Sequence, residues 1–236
     1  MSWVRHVIER MLNEIYLNCD CTEKVLDRLD AQIPEITQDP SAIENTYAVN
    51  VAGVMLLEMV QKKYGGSSLN PEVMSVFPAF SDVPRSQVNV NMITPEHPVA
   101  RHTIFLGCHI NTWHQFFYEL AHESIHMLGP VNTNEVEVAT LDEGVAVKFA
   151  EDFYREYIFP LTGVQVPQSP VNASQSVYFK AYQAANKIPD TVLFEIRKEF
   201  NNFREVKNPL FYEMTQSYLS RSESELLCSA FDYKAY

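Results

Sequence analysis

The string His122-Glu123-Ser124-Ile125-His126 lies within TWHQFFYELAHESIHML, and the residues around it fit one backbone. Phe116, Phe117, Leu120, Ala121, Ile125 and Leu128 supply apolar positions at helical spacing, and Gly129-Pro130 stops the pattern. Side chains four apart on a helix share a face one turn apart, so His122 and His126 point the same way. Two imidazoles so placed can ligate one metal ion, and Glu123 projects beside them within reach of a water on that ion. Such a pattern arises by chance in about one chain in a hundred of this length, so the residues around it carry the decision.

The next segment supplies a third ligand. Asn134 followed by Glu137 resembles a capping box, and the sequence predicts a helix from there to about Tyr157. On that helix Ala139, Glu143, Ala146, Val147 and Ala150 share a face. A lone carboxylate on a small, apolar face is costly to bury unless it is paired, protonated or metal-bound. Glu143 is therefore the expected ligand, reached across a Gly-Pro turn. Glu135 and Glu137 are explained by the helix dipole and capping, and Glu151 and Asp152 lie beyond the apolar stretch, where solvation is expected. Glu119 and Asp142 are candidates to orient the ligands, and an ordinary place on a helix surface explains each equally well. Tyr178 and Tyr182, on one helical face of VYFKAYQAA, are candidate oxyanion stabilisers, with core packing as the competing account. His109 and His114 suit polar roles near the start of the motif helix better than ligation.

Two imidazoles and one carboxylate fit zinc with an open fourth position. Water there loses a proton near neutral pH, and Glu123 is the base placed to take it.

Elsewhere, apolar spacing predicts helices over 2–17, Thr22 to about Ala31 and 46–64, the last ending at Gly65-Gly66. Residues 33–45 and most of 67–101 read as loop. Gln87–Ile93 and His102–Cys108 read as strands, and the second could offer an edge to an extended peptide. Pro160, Pro167 and Pro170 mark a linker, after which Ser174–Tyr236 reads as three or four helices punctuated by Pro189 and Pro209. With 13 Pro against 7 Gly, a helix-rich chain with proline-marked boundaries is expected. A net charge of −12 argues against nucleic acid and anionic membrane as partners. Cys19, Cys21, Cys108 and Cys228 form no C-x-x-C pair and read as reduced thiols. Arg5, Glu9, Arg10 and Glu14 interrupt the N-terminal apolar residues, and no run reaches a membrane span, so a soluble cytoplasmic protein is the expectation.

HESIH followed by LDEGVA resembles the gluzincin branch of the zincin metallopeptidases. These carry H-E-x-x-H on one helix and a glutamate ligand on the next, often within N-E-G-x-A. Asp142 stands where Asn is common, and Gly144 and Ala146 match. The resemblance covers residues 102–157. It implies a strand, an active-site helix and a glutamate helix arranged around zinc, with hydrolysis of a peptide or protein substrate. The expected fold is α+β and predominantly helical. A zincin-like core with N-terminal helices would occupy 1–160, with a small sheet on the active-site helix and a helical C-terminal region, 161–236, packed against it as one unit. Two alternatives stay open: a non-catalytic binding or regulatory module with a structural or sensing zinc, and an accidental motif.

Overall fold

A computed structural model describes residues 2–16, 20–32, 37–67, 74–90, 101–130, 137–166 and 169–233. The chain is mostly helical with one small sheet. Helices α1 (Ser2–Ile15) and α2 (Asp20–Gln32) precede α3 (Thr46–Tyr64). Helix α2 starts two residues before Thr22, which is buried within the first turn instead of capping it. Helix α3 buries apolar side chains along its length, from Ala48 to Tyr64. It ends at Gly65, whose φ of 91° lies in the region that only glycine enters freely.

Strands β1 (Ala79–Phe80), β2 (Gln87–Val90) and β3 (His102–Leu106) form the sheet in the order β1-β3-β2. β3 pairs parallel with β1 and antiparallel with β2, with Val88 opposite Ile104. The expectation of an exposed β3 edge is corrected: β3 is the central strand, its backbone is paired on both sides, and β2 and β1 form the edges. Positions 91–93 of the first expected strand lie outside the described residues, and β3 stops at Leu106, two residues short of the expectation. Gly107 follows, at a position with no room for a side chain, since a Cβ would stand 2.7 Å from the Pro84 carbonyl oxygen.

Helix α4 (Trp113–His126) follows β3, with the Thr112 hydroxyl accepting from the Gln115 backbone N–H as N-cap. Its lower face carries the core. Trp113, Phe116 and Phe117 are fully buried, with Phe116 ring centroids 5.1 Å from Trp113 and 5.3 Å from Phe117. Helix α5 (Thr140–Phe153) packs against α4 and is buried nearly all round. The proposed cap at Asn134 lies outside the described residues, and Glu137 is exposed and non-helical, so α5 starts later than expected. A π-turn over Tyr154–Ile158 and short α6 (Phe159–Thr162) extend it.

Four helices complete the chain: α7 (Val177–Ala185), α8 (Asp190–Phe200), α9 (Leu210–Thr215) and α10 (Arg221–Cys228). Pro189 and Pro209 stand at the N-caps of α8 and α9, where a proline cannot prolong a helix but suits its start. Ser220 and Glu223 close α10 with a reciprocal capping box. Among the described residues no helix is long and apolar enough to cross a membrane.

Candidate metal centre

The last two turns of α4 carry His122, Glu123 and His126, and the first turn of α5 carries Asp142 and Glu143. The antiparallel return places Glu143 opposite both imidazoles. His122 Nε2 lies 3.3 Å from His126 Nε2 and 3.3 Å from Glu143 Oε2, and the third edge, His126 Nε2 to Glu143 Oε2, is 3.7 Å. Ligands held at about 2.0–2.1 Å by a tetrahedral ion stand about 3.4 Å apart, so the triangle has the size such an ion needs. Glu143 Oε2 is buried and accepts no hydrogen bond among the described residues. An orphaned buried carboxylate oxygen facing two ring nitrogens is the arrangement a cation would satisfy. The chain thus builds a buried His-His-Glu group able to hold a metal ion.

The groups behind the triad fix its geometry. His126 Nδ1 donates to Asp142 Oδ2 at 2.7 Å, so that the neutral ring, the form that ligates a metal, carries its lone pair on Nε2. The same Oδ2 accepts from Arg204 Nε at 2.9 Å, and Arg204 also reaches the His126 carbonyl at 3.4 Å. The other oxygen of Glu143, Oε1, accepts from Tyr233 Oη at 2.7 Å, so one oxygen is anchored and the other is free to ligate. Sequence reasoning left Asp142 level with a surface acid and missed Arg204 and Tyr233 altogether. Both come from distant segments, and nothing in their local pattern marks them.

Burial raises the Asp142 pKa, but Arg204 and His126 outweigh it and hold the carboxylate below its usual range. Glu143 behaves likewise: burial opposes its charge, and the two histidines overcome that and push it well down. Burial also disfavours a charged His126, yet Asp142 and Glu143 lift its pKa to about 10. Glu123 is different. Burial dominates and raises its pKa, with the histidines opposing, and its Oε2 has no partner among the described residues.

The remaining candidates separate. Tyr178 is half-buried with its ring 6.4 Å from that of His122. Tyr182 lies one turn on, and the charges around its hydroxyl are Glu151, Asp152, Arg155 and Lys148. Those begin at Lys148, about 8 Å along α5 beyond Glu143, and run on to Arg155. The expectation that Glu151 is solvated is corrected: it is half-buried and accepts from Tyr118 Oη at 2.9 Å and from the Ser169 hydroxyl. His114 stacks on Trp3 and meets the Tyr154 hydroxyl at 2.7 Å, and His109 meets the Pro84 carbonyl at 2.6 Å, so neither belongs to the triad. No family profile, curated protein or solved structure matches this chain.

Proposed function

We propose that the chain is a zinc-dependent hydrolase of the gluzincin type, cleaving peptide bonds, with a zincin-like core formed by the sheet, α4 and α5. The observation that carries this reading is the near-tetrahedral spacing of His122, His126 and Glu143, with the buried Glu123 Oε2, which has no partner among the described residues, beside them. Two histidines and one glutamate are a donor set that suits zinc and leaves a fourth position open. Zinc bound there supplies Lewis acidity, acidifying water and polarising a carbonyl oxygen. Glu123 would serve as the base that accepts a proton from an attacking water and returns it to the departing amine, a task suited to a carboxyl whose pKa burial has raised. Asp142 keeps the His126 ring oriented, and Tyr233 keeps Glu143 ligating through one oxygen. Of the two tyrosines on α7, Tyr178, whose ring stands beside that of His122, is the one to which we assign the role of meeting a carbonyl oxygen; Tyr182 lies among the charges further along α5. The substrate is a peptide or protein, and Cys21, Cys108 and Cys228, which form no disulfide among the described residues, suit a reducing compartment such as the cytoplasm.

Zinc-loaded protein and its Glu123→Gln variant, incubated with a mixed peptide library read by mass spectrometry, test this. Wild type cleaves, and the variant keeps one zinc per chain while its turnover drops about 100- to 10,000-fold. Full turnover by Glu123→Gln removes Glu123 from the mechanism. Bound zinc with no cleavage by wild type points to a non-catalytic binding module, and failure to take up zinc makes the motif accidental.

A further inference from the structure

One cation stands beside this site with no acid paired to it among the described residues. Arg85 lies in the exposed turn leading into β2, and its guanidinium carbon sits 4.2 Å over the ring of Tyr233. The hydroxyl of that same ring bonds Glu143 at 2.7 Å. The aromatic wall continues from Tyr233 to Phe231, 4.9 Å between centroids, and on to Tyr178, 4.8 Å further. Tyr178 in turn flanks His122.

The other two arginines of this region are committed. Arg204 is spent on Asp142, and Arg197 on the carbonyls of Tyr64, Gly66 and Leu128. Partial burial works against the charge of Arg85, but Tyr178, Glu143, Tyr233 and Glu123 more than offset it and keep the guanidinium charged. The rest of the site is acidic, with Glu119, Glu123, Asp142 and Glu143 around the histidines. A carboxylate entering it is repelled except near the metal position and near Arg85. A guanidinium offers a planar fork that matches a carboxylate with two parallel hydrogen bonds.

The path from Arg85 across the Tyr233 ring to Glu143 is at most about 10 Å, room for two or three extended residues. We infer that Arg85 receives the C-terminal carboxylate of a peptide, so that the site engages substrates by their free C-terminal end and cuts within about three residues of it. The inference rests on the hydrolytic reading for the cut, but not for the recognition.

The test is therefore a binding measurement. Acetyl-Ala-Ala-Phe and its C-terminal amide are titrated calorimetrically into full-length, zinc-loaded Glu123→Gln protein, with and without Arg85→Gln. The free acid binds about ten- to a hundredfold more tightly than the amide, as expected for a charge-assisted pair. Adding Arg85→Gln abolishes most of that preference and leaves amide affinity and zinc content unchanged, and Arg85→Lys falls between. Equal affinity for acid and amide overturns the proposal, as does a preference that survives Arg85→Gln, or no binding of either peptide at millimolar concentration. If the acid preference depends on Arg85 but wild type cleaves neither these peptides nor the mixed library, recognition by Arg85 stands and the hydrolytic reading falls.

Discussion

Asp142 does two jobs with one oxygen atom. Its Oδ2 orients His126 and at the same time neutralises Arg204, which is itself buried. Replacement by Asn keeps the shape and removes the charge. Asp142→Asn is expected to weaken zinc binding about 10- to 100-fold, the usual effect of losing the partner behind a ligating histidine. Competition with a chromophoric chelator measures it. Unchanged affinity would mean that Asp142 serves the arginine alone. Glu143 shows how far burial reasoning reaches at this scale. A carboxylate among small apolar residues was legible as a candidate metal ligand from the sequence, and the structure sets it opposite both histidines. Tyr233 was not legible, because a tyrosine among 12 carries no local mark of the contact it makes.

At the scale of elements, the site depends on how closely α5 can be approached from two sides. α4 packs on one side, and α7 packs on the side of Gly144. A Cβ at Gly144 would stand 2.7 Å from the Ala181 carbonyl oxygen and 2.9 Å from Ala185 Cβ. In an unconstrained helix, glycine to alanine gains about 1 kcal/mol. Here the neighbouring atom is backbone and cannot swing aside, so Gly144→Ala is expected to cost about 1–3 kcal/mol, a reversal of sign. The midpoint of denaturant unfolding reads it directly, and a stabilised variant would show that α7 moves freely. The sequence marked Gly144 as part of a motif, but the helix that fills the space beside it was not identifiable without the fold.

The whole molecule closes on itself around α5. The segment after α10 pairs with the residues leading into α5: Thr140 donates to the Ser229 carbonyl at 2.8 Å, and Phe231 donates to Val138 at 2.8 Å. This pairing delivers Phe231 and Tyr233 to the metal centre from the far end of the chain. The enclosed charges then couple stability to pH. His126 has a folded pKa of about 10 against 6.5 ordinarily, a raised value, so its contribution to the metal-free protein is complete below about pH 6.5 and fades as pH rises towards 10. Glu143 and Asp142 have lowered values, so theirs is present above the ordinary carboxylate range and is lost as pH falls through it. Chelator-stripped protein is therefore expected to be most stable in mild acid. Zinc needs neutral imidazoles, so its stabilising effect should grow from pH 6 to pH 9. Thermal melts of stripped and zinc-loaded protein across that range test both trends. A metal-free melting temperature that does not fall as pH rises from 6 to 9 would show that His126 is not held charged by its two acids.

The spacing of His122 and His126, the neighbouring Glu123 and the buried Glu143 were determined by the sequence alone, because helical periodicity and the cost of burying a lone charge are local rules. The helices on either side, the prolines that start α8 and α9, and two strands of the sheet followed from the same rules. Only the tertiary structure decided that β3 is central, that α7 fills the space beside Gly144, and that Arg204, Arg85 and Tyr233 gather at the site. Those residues come from a turn, a loop and the C-terminal segment. Their meeting is set by which surfaces pack together, and no periodicity along the chain encodes that.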